Sequence, residues 1–98
     1  MAIYTVDQIK EKITPIAREY GVERVMLFGS YARGEATEQS DIDLLIARGR
    51  MRNLLVKSEF MLDIKDALGK DIDVVSESAL KDDRFTRRVR NDVVRIYG

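Results

Sequence analysis

The chain has 98 residues, enough for one hydrophobic core and too few for a catalytic domain plus a separate recognition domain, so a single domain over residues 1–98 is expected. Apolar residues at 45% and charged residues at 35% exclude intrinsic disorder, and seventeen Lys plus Arg balance seventeen Asp plus Glu, leaving no overall basic field to hold nucleic acid. The absence of cysteine and histidine excludes disulfides, thiolate zinc sites and imidazole ligands or bases, so any metal must sit on oxygen, which favours Mg²⁺ or Mn²⁺.

From Val6 the apolar residues Ile9, Ile13, Ile16 and Tyr20 recur at helical spacing. Thr5 with Gln8 suits a capping box and Gly21 suits the stop. Pro15 lies inside this pattern, where it either kinks the helix or begins a second one capped by Thr14. Arg24 to Phe28 is a short apolar run ending in Gly29-Ser30, which reads as a buried strand. Ser30 to Glu35 suits a short helical turn, and Ala36 to Ser40 a polar loop.

Asp41 to Ala47 is the second strand expected, with Asp41, Asp43 and Leu45 on one face and Ile42, Leu44 and Ile46 on the other. Asn53 to Leu68 follows as a helix with Leu54, Met61, Ile64 and Leu68 at core spacing and Gly69 as its stop. Asp71 to Val75 reads as a third strand with Asp71 and Asp73 on one face, and Ser76 and Glu77 as turn residues. Asp83 is placed to cap a last helix with a core stripe of Phe85, Val89, Val93 and Ile96 or Tyr97; Arg84, Arg87, Arg88, Arg90 and Arg95 fall on its other faces. The expected order is α-β-α-β-α-β-α, with no repeat or linker. No apolar stretch approaches the ~20 residues that span a bilayer, and Met1 to Lys10 lacks a basic stretch followed by an apolar run, so a cytoplasmic protein is expected.

The chemistry concentrates where the first strand ends and the second begins. If Ser30 and the acids share a site, the ten residues between them can span the gap only when the two strands are antiparallel neighbours. Gly29 lets the backbone approach a phosphate closely, and Ser30 adds a hydroxyl at the start of a helical turn. Asp41 and Asp43 at alternate strand positions repel each other, an arrangement that a divalent cation relieves. In two-metal phosphoryl-transfer sites the ions lie roughly 3.5–4 Å apart, and a third carboxylate on a neighbouring strand completes the site. By spacing alone, Asp71 or Asp73 could be that third ligand.

Gly29-Ser30-Tyr31-Ala32-Arg33-Gly34-Glu35, followed by Ser40-Asp41-Ile42-Asp43-Leu44 and later Asp73-Val74-Val75, resembles the signature of the DNA-polymerase-β-like nucleotidyltransferase superfamily. The likeness extends over nearly the whole chain and, given its size, looks most like the minimal nucleotidyltransferase group. A Gly-Ser with two correctly spaced aspartates arises by chance on the order of once in a thousand such chains. The resemblance implies an α/β (α+β) nucleotidyltransferase fold with a small mixed sheet whose strands 1 and 2 are antiparallel. It selects Asp73 over Asp71, making Asp41, Asp43 and Asp73 the metal-binding and catalytic set, with Gly29, Ser30 and Arg33 toward the nucleotide.

It further implies ATP as substrate, two Mg²⁺ ions or Mn²⁺ in their place, and a HEPN-domain toxin as partner, a tyrosine of which receives AMP. The chain would then act as the antitoxin of the pair. The rival readings are a non-catalytic binding antitoxin of the same fold, and a transferase acting on a small molecule or RNA. Arg33 suits either triphosphate oxygens or a salt bridge that orients its loop, and Tyr31 suits packing against the sheet in preference to packing against a base. From Lys81 to Gly98 six basic residues face three acidic ones, which suits an acidic partner or RNA, or simply the charged outer face of a helix.

Overall fold

Thr5 sets the start of the first helix, α1, Val6–Tyr20: its side chain accepts from the Gln8 amide while the Gln8 side chain accepts from the Thr5 amide, closing the capping box. The helix continues through Pro15 as one element, and Gly21, at φ 68°, ends it by donating to the carbonyls of Ala17 and Arg18. The computed structural model describes residues 3–51, 53–80 and 84–98, and of Phe85 the backbone alone. After α1 come β1, Arg24–Phe28; α2, Ser30–Arg33; β2, Ile42–Ala47; α3, Leu54–Leu68; and β3, Ile72–Ser76. A 3₁₀ turn at Glu77–Ala79 then leads toward α4, Arg84–Asp92, and β4, Val94–Tyr97.

The four strands form one mixed sheet in the order β3-β2-β1-β4. β1 is antiparallel to both β2 and β4, while β2 and β3 run parallel. Strand alternation sorts the side chains onto two faces. On one face Val25, Leu27, Ile42, Leu44, Ile46 and Ile96 join Ile9 and Ile13 of α1 and Phe60, Ile64 and Leu68 of α3 in the main core. On the other, Phe28 and Leu45 meet Val89 of α4 in a smaller cluster. Each large aliphatic or aromatic side chain fully buried in this way contributes roughly 1.5–3 kcal/mol, so the face shared with α1 and α3 holds most of the stability. Asn53 caps α3 through the Val56 amide.

Three expectations change. The last segment is not one helix: α4 stops at Asp92 and the chain turns into β4, where Ile96 enters the main core and Arg95 faces solvent. Val93 falls between the two elements and Ile96 and Tyr97 lie in the strand, so none of them continues a helical stripe; β4 forms because its backbone pairs with the open edge of β1. Asp83 and the side chain of Phe85 lie outside the described residues. In α3, Leu54 is 73% exposed rather than buried, and Phe60, Ile64 and Leu68 form the core stripe. Glu77 is more than a turn residue, since it binds Arg24 of β1 at 2.7 Å and ties the end of β3 across the sheet.

Candidate active site

Antiparallel pairing of β1 with β2 sets Phe28 opposite Asp43, and parallel pairing of β2 with β3 sets Asp73 opposite the same Asp43. Two carboxylates distant in sequence thereby become neighbours on the face that α4 covers. Gly29 follows Phe28 at φ 78°, a conformation that side chains rarely adopt, and a Cβ there would lie 2.2 Å from Asp43 Oδ2. The glycine is required twice over: by its backbone angle and by the carboxylate packed against it.

A cavity of about 290 Å³ opens at this point, lined by Gly29, Arg33, Asp43 and Asp73 from the sheet side and by Arg88 and Asp92 from α4. Phe28 and Val89 supply its apolar wall. Asp43 is half-buried, and its carboxyl is pushed up from the ordinary 3.8 to about 6, chiefly by burial, then by repulsion from Asp73 and Asp41, with Arg33 acting in the opposite direction. Arg33 donates to Glu35 at 2.7 Å and to Asp92 at 3.4 Å. The orienting salt bridge is thus present, and it joins α2 to the end of α4 while the same guanidinium lines the cavity. Those carboxylates, the Glu35 bond foremost, hold the guanidinium above its already high ordinary value.

The other candidate residues separate. Ser30 opens α2 and is half-buried, but it is not part of the cavity wall. Asp41 is exposed and immediately precedes β2, which starts at Ile42; it acts on the Asp43 carboxyl but does not line the cavity. It lines an adjoining groove of about 640 Å³ with Ser40, Lys65, Lys70 and Asp71. Asp71 is exposed and paired with Lys65 at 3.2 Å, so of the two aspartates near β3 it is Asp73 that meets Asp43 in the cavity. Tyr31 packs as expected, 4% exposed in the main core.

Arg88 and Asp92 are the site features that sequence reasoning missed. Both sit among alternating charges on a helix, and only the placement of α4 over the second sheet face distinguishes them from solvent-facing neighbours. A weak signal existed: Arg88, Val89 and Asp92 share one side of a helix, with the valine as the packing residue.

The donor set suits a hard cation, being carboxylate oxygen throughout. Burial first, and then the nearby Asp73 and Asp41 carboxylates, disfavour ionised Asp43, and a divalent ion bound there would offset both. Asp43 and Asp73 meet this test. Asp41 remains at the rim, and among the described residues no three acidic side chains stand close enough to form a metal-binding group as placed. Nor, among the described residues, is any helix long and apolar enough to cross a membrane.

Residues 11–98 match the family described as Polymerase beta, Nucleotidyltransferase. A protein of Methanocaldococcus jannaschii is 40% identical over 75 residues, which are 76% of this chain and 81% of its own. The protein adenylyltransferase MntA of Thermococcus cleftensis is 36% identical over 85 residues, 83% of this chain and 86% of its own. Among solved structures, a toxin-antitoxin crystal structure with AMP-PNP superposes with a TM-score of 0.76 at 23% identity, covering 91% of this chain and 73% of that one. A complex of tri-AMPylated Shewanella oneidensis HEPN toxin with MNT antitoxin gives 0.71 at 20% identity, covering 96% and 73%. At those identities the two structures speak for the fold alone, whereas the family match spans nearly the whole chain. The chain belongs to the polymerase-β nucleotidyltransferase family.

Proposed function

We propose that this chain transfers AMP from ATP to a tyrosine hydroxyl of a HEPN-domain toxin, in the presence of Mg²⁺, and thereby acts as the toxin's antitoxin. The observation that carries this reading is the meeting of Asp43 and Asp73 at paired strand positions, against Gly29, in a cavity that also holds two guanidinium groups. Its support from relatives is the adenylyltransferase name of the Thermococcus cleftensis protein, the AMPylated toxin in the Shewanella oneidensis complex and the AMP-PNP of the similar toxin-antitoxin structure.

In this reading the acceptor oxygen attacks the α-phosphorus, a new P–O bond forms, the bond to the β-phosphate breaks and pyrophosphate departs. Asp73, exposed at the rim of the cavity, takes the acceptor's proton, a role no histidine can fill in this sequence. Asp43, with Asp73 and with Asp41 from the rim, would hold the divalent ions, which when bound neutralise charge on the triphosphate. Gly29 lets the backbone approach the phosphates, Ser30 opens α2 beside the cavity, and Arg33 fixes the α2 loop while facing the same space.

The test is incubation with the HEPN partner, ATP and Mg²⁺, followed by intact-mass measurement of the partner. A gain of one or more AMP groups on tyrosine is expected, lost with Asp43→Asn. Complex formation with no mass gain would overturn catalysis and leave a binding antitoxin. Modification of a small hydroxylated compound or an RNA by the chain alone would overturn the protein acceptor.

A further inference from the structure

The cavity contains more positive charge than the family motif accounts for. Arg33 is committed to Glu35 and Asp92. Arg88, one turn before Asp92 on α4, lines the same cavity and has no carboxylate partner among the described residues. It stands across from Asp43 and Asp73 on a helix anchored to the sheet by Val89, which is 4% exposed in the cluster with Phe28 and Leu45. A guanidinium with no carboxylate partner among the described residues, at the wall of a small cavity, suits a ligand that brings its own negative charge. Its planar fork matches phosphate oxygens, where two parallel N–H bonds can form. Arg90, two residues on and so on another side of the helix, instead lines a separate depression with Met26, Leu45 and Glu77.

We propose that Arg88 grips the β and γ phosphates of bound ATP, the group that leaves as pyrophosphate, so that α4 closes the site from the face opposite the strand acids. The inference rests on the adenylyltransferase reading of this cavity and adds to it a residue outside the sequence motif. Charge that accumulates on the leaving pyrophosphate as the P–O bond breaks would then be met by a fixed cation.

The experiment measures binding of AMP-PNP and of AMP, each with Mg²⁺, to the full chain and to Arg88→Ala, Arg88→Lys and Arg90→Ala, with a thermal melt of each variant as a check on folding. Loss of one charge-assisted phosphate contact predicts roughly a tenfold to hundredfold weaker hold on AMP-PNP in Arg88→Ala. AMP, which lacks the two outer phosphates, should bind within about twofold of the parent chain, and Arg88→Lys should fall between. Arg90→Ala, which removes the same charge from the same helix, should bind both ligands as the parent does.

Equal AMP-PNP binding by the parent and Arg88→Ala would overturn the assignment of Arg88 while leaving the adenylyltransferase reading intact. Equal loss of AMP-PNP and AMP in a folded Arg88→Ala would also overturn it, placing the side chain at the nucleoside or α-phosphate end. So would normal nucleotide binding with failure to capture the HEPN partner, which would assign Arg88 to the acceptor. A parent chain that binds no AMP-PNP would overturn the nucleotide reading itself.

Discussion

Replacing Asp43 with asparagine tests the electrostatics of the site without reference to turnover. The carboxyl is raised from 3.8 to about 6, which at about 1.4 kcal/mol per pH unit corresponds to about 3 kcal/mol of destabilisation once the group is ionised in both folded and unfolded chains. Asp43 is only half-buried, so solvent screening reduces this to about 1–2 kcal/mol. The sign follows from the raised folded value: between pH 4 and 6 the folded chain binds the extra proton, so stability falls as pH rises through that window and stays low above it. Asp43→Asn removes the ionisable group and should raise Tm by about 5–10 °C at pH 8 in EDTA. Most of that gain should vanish near pH 4, where the parent carboxyl is protonated in the folded state. Adding Mg²⁺ at pH 8 should stabilise the parent and have much less effect on the variant. Thermal melts across pH 4–8, with and without Mg²⁺, provide the readout. A variant no more stable than the parent at pH 8, or equally advantaged at pH 4, would refute this account of Asp43.

Other substitutions test the geometry around it. Gly29→Ala should cost at least about 2 kcal/mol in denaturant unfolding, since a Cβ meets Asp43 Oδ2 at 2.2 Å and φ is +78°; adding Asp43→Ala should recover the steric part and not the backbone part, a coupling that a double-mutant cycle reads. In partner-modification assays Asp73→Asn should reduce AMP transfer by at least about a hundredfold, as removal of a general base does, while Asp71→Asn stays near the parent rate; the reverse order would exchange their roles. Ile96→Ala, at a position 1% exposed in the main core, should destabilise by about 2–5 kcal/mol in denaturant unfolding, as a core residue does.

Elements with self-contained signals were legible in the sequence. The Thr5–Gln8 box and Gly21 delimit α1, and the run from Arg24 to Phe28 coincides with β1, because caps and short apolar runs are local instructions. The antiparallel relation of β1 and β2 followed once Ser30 and the acids were taken to share a site, since the short connection then had to return the acids to Gly29-Ser30. The end of the chain was less legible. Val89, Val93 and Ile96 fit helical spacing, while Val94, Arg95 and Ile96 fit strand alternation over the same residues; pairing with β1, a contact remote in sequence, decides between them. The same limit applies to Arg88, whose neighbourhood depends on where α4 lies over the sheet. In α3, Leu54 had the right spacing from Met61 to be core, but it sits at the helix start, beyond the reach of the α1 side chains that cover Phe60 and Ile64.

The parallel register of β2 and β3 has a consequence for folding as well as chemistry. Asp43 faces Asp73 only if Ile42 pairs with Ile72 and Leu44 with Val74; a slip by one residue would turn one carboxylate into the main core and expose an aliphatic in its place. A ligand that engages both acids therefore bridges two strands joined only through the long α3 crossover, and it fastens them in one alignment. Nucleotide and metal would act as a clasp on the sheet: a chain in the wrong alignment could not hold them, and a chain that holds them could not easily lose its alignment. In the proposed reading, the reactive centre and the proofreading of the fold are the same pair of side chains.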